Sequence, residues 1–283
     1  MKYLIGLVVW MALLCPLDAL GECLRLRMVD VGMAECMIVT VDGEAMLIDT
    51  AYVKNADSVE KALEEMDVDA ITYLVLTHPH ADHIGGTRAI LGNHQVHAAL
   101  LPPVEYGTEM FNKTMSAFEE HGVELIYPEV EDQFSLGGAT ITIYGPHPVA
   151  YANANDWSIV LMIEYAGKRI LLTGDVEAEA EWDMLAYTPW LPLGADILKV
   201  AHHGSDTSSS YGFVEEVAPE YAIISCGDEE AEYPHVETAM TLMDCGVRDV
   251  LTTKVNGDII ITIYENGMYT VSGQRSEQLS VMK

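Results

Sequence analysis

The sequence predicts an α/β protein in four layers, an αββα sandwich of two β-sheets packed face to face with helices outside. Three observations carry this. Both halves of the chain interleave apolar strand-like runs with helical segments, and such sheets must bury two faces each. No linker rich in Pro, Gly or Ser divides the halves, so residues 22–283 read as one domain. The densest polar clusters fall where strand-like runs end, the place where α/β sheets carry their sites.

Leu24 to Asp49 reads as three strands. "LRLRMVDV" alternates at its start, "ECMIVTV" follows, and Asp42-Gly43 makes a hairpin turn before "EAMLID". In "ADSVEKALEEM", residues 56–66, Val59, Leu63 and Met66 recur at helical spacing. "AITYLVL" is the continuous apolar run of a strand buried on both faces. Residues 86–137 mix short helices and strands. "ATITIYG", "WSIVLMIEY" and "RILLTG" are strands, the last two joined by Ala166-Gly167-Lys168. "AEAEWDML" is helical, and "ADILKV" is a strand running into His202-His203. The tail continues with strand "EYAIIS", a helix near 236–245, and strands around 248–252, 257–263 and 268–271, with an Asn266-Gly267 turn between the last two.

Residues 1–21 read as a signal peptide: Lys2, an apolar run from Tyr3 to Cys15, Pro16, and a small-x-small site at Ala19-Leu20-Gly21. The run is too short for the ~20 residues of a membrane-spanning helix, so the expectation is a secreted or extracytoplasmic protein with no stable span after cleavage. An uncleaved N-terminal anchor is the alternative. Cleavage leaves Cys23, Cys36, Cys226 and Cys245, which permit two disulfides of open pairing or four free thiols. The net charge is −30, from 14 Lys and Arg against 44 Asp and Glu. Lys2 and Asp18 cancel, so cleavage leaves that balance intact. Nucleic-acid binding rests on Lys and Arg neutralising phosphates, so long DNA or RNA is disfavoured as a partner. Acidity that serves solubility alone is the plainer reading of the same number.

The stretch "LTHPHADHIGG", residues 76–86, places His78, His80, Asp82 and His83 in one loop of a chain with ten histidines. Imidazole and carboxylate are the ligands of catalytic zinc. In an extended loop, side chains two apart point the same way, so His78 and His80 can chelate one ion, and Asp82 and His83 serve a second. Asp175 of "LLTGD", exposed by a Gly-Asp turn at a strand end, is the candidate bridge between them. "KVAHHGS" offers a further imidazole.

"DVG", "LIDT", "LTHPHADHIGG", "NDWSIVL", "LLTGD", "LKVAHHGS", "TSSS" and "YPH", in this order, resemble the metallo-β-lactamase superfamily. The nearest branch is the hydrolase domain of ComEC-type competence proteins and their secreted stand-alone relatives, which include phosphorylcholine esterases. The resemblance runs from about Leu24 to Gly273. It implies a metallo-β-lactamase fold with two divalent metal ions, zinc first, with manganese or iron also suited to such ligands. His78, His80 and Asp175 would bind one ion. Asp82, His83, Asp175 and one of His202 and His203 would bind the other, with His202 favoured and His203 facing substrate. Asp49 of "LIDT" matches the family's buried aspartate that orients metal-bound histidines. Asn155 stands in the region where many members carry another metal-binding histidine. His147 is a possible replacement, although a surface-loop histidine is the favoured reading. Glu35 replaces an aspartate of the branch and Asp206 a lysine. Ser205, in "HHGS", would stand behind the metal ligands or touch substrate.

The expected function is hydrolysis of a phosphoester, more specifically a phosphodiester, with hydroxide made available at neutral pH by two adjacent cations. Asp82 and Asp175 belong to the catalytic centre, and His203 or His235 is the general acid. His235 as a structural histidine of the tail is the alternative. A β-lactamase or lactonase, a competence-linked DNA nuclease and a non-catalytic binding protein on the same fold remain open. The expected substrate is a small-molecule or cell-envelope phosphoester with a choline-like cationic head. The acidic loops with Asp206, Asp228, Glu229, Glu230 and Glu232 would favour it, with Trp157, Tyr211 or Tyr233 as aromatic faces or, equally, as core residues.

Overall fold

A computed structural model describes residues 23–228, 232–275 and 280–282. The expected signal peptide, Glu229 and Glu230 lie outside the described residues. Strands β1 (Cys23–Met28), β2 (Met37–Val41) and β3 (Glu44–Ile48) form an antiparallel meander. The β2–β3 turn is the expected Asp42-Gly43 pair, both residues at positive φ (53° and 82°). Helix α1 (Ala56–Glu65) leads into β4 (Ala70–Val75). The short α2 (Ala81–Ile84) and α3 (Thr87–Asn93) precede β5 (Gln95–Leu100), and α4 (Glu109–His121) precedes β6 (Glu124–Ile126). Thr108 caps α4 by accepting from the Phe111 N–H, and Gly122 closes it in the left-handed region. Strands β3 to β6 run parallel, as their helical crossovers require.

The second sheet holds β7 (Gln133–Leu136), β8 (Ala139–Gly145), β9 (Val160–Tyr165), β10 (Lys168–Leu172), β11 (Ile197–Lys199), β12 (Tyr221–Ile224) and β13 (Asp249–Thr252). Helices α5 (Ala178–Tyr187), α6 (Tyr211–Val217) and α7 (Val236–Asp244) connect the parallel strands β10 to β13. After α8 (Thr253–Asn256) the chain leaves this sheet. Strands β14 (Ile259–Tyr264), β15 (Tyr269–Gly273) and β16 (Ser280–Met282) extend the first sheet beyond β1. A division into one sheet per half of the chain is therefore wrong for the tail. β14 alternates between buried and half-buried residues and pairs antiparallel with β1, from Cys23–Tyr264 to Met28–Ile259.

The layers follow from which faces are apolar. Leu24, Leu26, Val39, Ile141, Leu161, Ile170, Ile223 and Ile261 meet between the sheets. On the outer face of the first sheet, Ile38, Leu47, Ile71 and Leu74 pack against Val59, Leu63, Ile90 and Phe118 of the helices. On the second, Met162, Leu171 and Leu198 pack against Met184, Phe213 and Val217. Each such side chain removed from water contributes roughly 1.5–3 kcal/mol. Every strand bordering both an inner and an outer layer must be apolar on both faces, which is why "AITYLVL" and "RILL" read as continuous runs. The four cysteines are free thiols, so the disulfide option is not taken up. Among the described residues no helix is long and apolar enough to cross a membrane.

Candidate metal centre

Five loops at strand ends converge on one side of the sandwich, and their polar side chains meet in a buried cluster. Asp49, just past β3, adopts φ 57°, and Thr77 closes β4 beside it. The Asp49 carboxylate accepts from the Thr77 N–H (2.8 Å) and hydroxyl (2.7 Å), and its Oδ2 lies 2.6 Å from His83 Nδ1. A carboxylate can only accept here, so His83 carries its proton on Nδ1 and turns Nε2 inward.

The loop after β4 is less extended than expected. The N–H groups of His83 and Ile84 both donate to His80 O, starting the one-turn α2, so Asp82 and His83 sit on a helical turn. His78 and His80 still converge, with Nε2 of the first 3.0 Å from Nδ1 of the second. Tyr106 Oη lies 3.1 Å from His80 Nε2; with Nε2–H donating to it, the lone pair is on Nδ1, facing His78.

Asp175 is buried (2% exposed), not exposed as expected. Its turn needs Gly174, which has φ 53° and whose added Cβ would stand 2.8 Å from the Ser158 side chain. The Ser158 hydroxyl accepts from the Asp175 N–H (3.0 Å), and Asp156 accepts from the Glu177 N–H (2.8 Å). This explains the "NDWS" block, which is a 3-10 turn (Asn155–Trp157) rather than the start of the strand. Asp175 Oδ2 lies 3.9 Å from His78 Nε2, 3.2 Å from His83 Nε2 and 3.5 Å from His203 Nε2. Asp82 Oδ2 completes the group, 3.7 Å from His83 Nε2 and 3.4 Å from His203 Nε2. Donor atoms of Asp82, His83, Asp175 and His203 all lie within 4.8 Å of one another.

The imidazole in this quartet belongs to His203, not to the favoured His202. The chain from His202 to Gly204 runs through the left-handed region (φ 48°, 55° and 84°), which breaks the alternation of a strand end. Gly204 is obligatory here, since an added Cβ would lie 2.5 Å from Pro234. His203 Nδ1 donates to Ser225 O (2.8 Å), leaving Nε2 inward. His202 instead pairs with Glu177 (3.4 Å), with Asn155 Nδ2 3.5 Å away. Asn155 donates to Glu177 (2.9 Å) and so belongs with His202, outside the quartet. Left-handed non-glycine residues cost about 1–3 kcal/mol each and cluster at functional sites; Asp49, His202 and His203 are three of them.

The remaining candidates lie apart. His235 Nδ1 lies 3.0 Å from Asp206 Oδ1 and accepts from the Asp206 N–H (3.2 Å), its ring is tilted against Tyr233, and its backbone N–H donates to Gly204 O (2.9 Å). Ser205 bonds Thr207, and its carbonyl accepts from Thr238. His147 is buried rather than on a surface loop, with its ring 6.0 Å from that of Tyr187. Trp157 packs on Tyr151. Tyr211 is exposed and bonds Glu215. The "TSSS" block is held by the buried Glu181 carboxylate, which accepts from the Ser209 and Ser210 N–H groups.

Beneath the site lies a buried ion pair that the motif reading did not include. Lys199 Nζ is 3.0 Å from Glu35, 3.5 Å from Asp175 Oδ1, and donates to Gly174 O (2.7 Å). Lys199 and Glu35 are both fully buried.

Electrostatics agree with a cation site. Burial works against charge on His83, yet Asp175, Asp49 and Asp82 hold it well above the usual imidazole value. Burial likewise opposes the charge of Asp175, but His83, His203 and Lys199 keep it well below the carboxylate range. Burial, then His83, pushes His78 well below its usual value, so it is neutral and has a lone pair to offer. His203 Nε2 is buried with no hydrogen-bond partner, as a ligand atom facing a cation would be. These residues fit divalent metal ions with mixed nitrogen and oxygen ligands.

The proton on His83 must leave before its Nε2 can bind metal. A raised folded value means protonation of His83 stabilises the metal-free fold fully below its unfolded value of 6.5, and that contribution fades as pH rises through the folded value. Metal competes with that proton. The thermal stabilisation by zinc should therefore be larger at about pH 8.5 than at about pH 6. Equal zinc-induced Tm shifts at the two pH values would contradict this.

The metallo-beta-lactamase superfamily profile matches residues 29–228. The chain belongs to the metallo-β-lactamase superfamily. It is 32% identical over 213 residues to ComE operon protein 3 of Bacillus subtilis (strain 168), covering 75% of this chain and 26% of that protein. Recombination protein 2 of Haemophilus influenzae is 27% identical over 243 residues, covering 84% and 28%. Competence protein ComA of Neisseria gonorrhoeae is 27% identical over 212 residues, covering 75% and 28%. The similarity supports the ComEC-type competence branch, although the chain spans only about a quarter of these relatives' length. Among solved structures, the diiron β-hydroxylase CmlA of Streptomyces venezuelae superposes with TM-score 0.57 at 13% identity, over 85% of this chain and 54% of that one. The metallo-beta-lactamase fold protein YhfI of Bacillus subtilis gives 0.53 at 12%, over 84% and 99%. Both establish the metallo-β-lactamase fold. Members of the superfamily are mostly metal-dependent hydrolases.

Proposed function

We propose that this superfamily member is an exported, binuclear metal-dependent phosphoesterase that prefers phosphodiesters. The observation that carries the reading is Asp175 Oδ2 lying 3.9 Å from His78 Nε2, which itself faces His80, and 3.2 and 3.5 Å from the Nε2 atoms of His83 and His203. His78, His80 and Asp175 would hold one ion, and Asp82, His83, His203 and Asp175 the other. Such ions supply Lewis acidity and ready access to hydroxide near neutral pH.

The protein's own residues then do three things. Asp49 and Ser225 O fix the tautomers of His83 and His203, so their lone pairs face inward without reorganisation, and Tyr106 Oη stands 3.1 Å from His80 Nε2. Lys199 holds the Asp175 turn and balances its charge. With His203 in the cluster, His235 is left as the general-acid candidate; its backbone N–H donates to Gly204 O while its ring stands against Asp206 and Tyr233.

The net charge of −30 favours a small-molecule or cell-envelope substrate over long nucleic acid. A competence-linked nuclease is the second reading; the name of one relative, competence protein ComA, supports the link to competence. Protein loaded with zinc or manganese should hydrolyse bis(p-nitrophenyl) phosphate, and His80→Ala should abolish turnover. Absence of turnover on phosphodiesters, lactones and β-lactams would refute the proposal, and a chain that also takes up no metal would be a binding protein. DNA cleavage at low salt that outpaces small diesters would favour the nuclease.

A further inference from the structure

A cleft of about 770 Å³ opens beside the metal centre, between the loop that follows β5 and helix α4. Pro102, Glu105, Tyr106, Phe111, Met115 and Tyr127 are among the residues lining it. Two contacts join it to the chemistry. Tyr106 is both a wall of the cleft and the partner of His80, 3.1 Å from its Nε2, with the two rings 5.6 Å apart. Pro102 and Phe111 also line a small void together with His78 and Pro79, so the floor of the cleft is the back of the histidine loop. Tyr127 is half exposed at the mouth.

We propose that this cleft holds the non-reacting ester group of the substrate, an aryl or alkyl group bearing no negative charge. The proposal rests on the phosphoesterase reading and extends it to the substrate's second half. The volume lies within the ~300–1,000 Å³ of small-molecule sites. Apart from Asn112, the lining side chains are aromatic, aliphatic and prolyl, and the one charged residue in the lining, among the described residues, is Glu105. Among the described residues no lysine or arginine lines it, so an anionic group entering would lose hydration and meet a carboxylate. A neutral or cationic group meets ring faces instead. Tyr106 and His80 form the wall shared by the cleft and the metal centre, so an ester seated there carries its phosphorus end past that wall to the Nδ1 side of His80.

The test uses the full chain and two separable readouts. The first is the preference for bis(p-nitrophenyl) phosphate over methyl p-nitrophenyl phosphate with zinc-loaded protein. Met115→Trp, which fills the cleft from α4, should reduce that preference in kcat/KM about tenfold, and Tyr127→Ala should move it the same way. The second needs neither metal nor turnover. Benzyltrimethylammonium, followed by saturation-transfer NMR on metal-free protein, should bind about tenfold more tightly than benzenesulfonate and lose that binding in Met115→Trp. Unchanged ester preference and unchanged probe binding in both folded variants overturn the proposal, as does equal binding of the two probes. If no phosphoester is turned over but the probe binds in a cleft-dependent way, the phosphoesterase reading fails and the cleft's preference for uncharged or cationic groups stands.

Discussion

Alanine at His203 is expected to remove one metal ion from the protein, whereas alanine at His202 leaves metal content unchanged. His203 Nε2 is buried, without a hydrogen-bond partner, and 3.4–3.5 Å from both Asp82 and Asp175. His202 faces Glu177 and Asn155. Losing an outer partner of a ligand typically costs ~10–100-fold in metal affinity, and a direct ligand should exceed that. Zinc titration of the metal-free chain should therefore show the ion assigned to Asp82, His83 and Asp175 disappear in His203→Ala, with turnover lost alongside it. Ser225 supplies only a backbone carbonyl to His203, so Ser225→Ala should keep the ring in place and serves as a control for local disturbance. Full metal content in His203→Ala, or loss of an ion in His202→Ala, would return the ligand role to His202.

That distinction was beyond sequence inspection for a definite reason. "HHGS" announces two adjacent imidazoles, but which one points inward depends on consecutive left-handed residues, and histidine identity does not encode φ. Chemistry that depends on residue type was legible: His78, His80, Asp82, His83 and Asp175 do meet, and Asp49 does hold His83. Local punctuation was legible too, as at Asp42-Gly43 and the helix Ala56–Glu65. Long-range pairing was not. The alternation in Ile259–Tyr264 marks a strand with one buried face but cannot say that its partner is Cys23–Met28. Tyr106 sits in a loop without periodicity, and nothing in "PPVEYG" signals a contact with His80. Lys199 left a trace, a lysine inside the apolar run "ADILKV", where a charge is rarely buried unless paired. Its partner Glu35 was visible only as a departure from the branch's aspartate.

Removing the Lys199 charge, as in Lys199→Met, should be the most destabilising single change at the site. Glu35 and Asp175 are both buried and both lie within 3.5 Å of Lys199 Nζ. Two carboxylates left beside each other without that ammonium have no other lysine or arginine in contact among the described residues. Burial alone would lower the ammonium's proton affinity, but Glu35 and Asp175 raise it above the usual lysine value, so Lys199 is held as an ammonium, while burial pushes the Glu35 carboxyl up. Breaking a buried pair by removing one partner costs about 3–5 kcal/mol, largely from the uncompensated charge left behind. The double variant Glu35→Gln, Lys199→Met removes one of the two stranded charges and should recover a substantial part of that loss. Denaturant unfolding of metal-free protein is the measurement. Zinc should restore stability to Lys199→Met more than to the parent chain, because a cation beside Asp175 takes over the neutralising role that the ammonium leaves. A loss below about 1 kcal/mol in Lys199→Met would mean that the ion pair is spectator to the fold. A double variant no more stable than the single one would locate the cost in lost packing of the lysine stem instead.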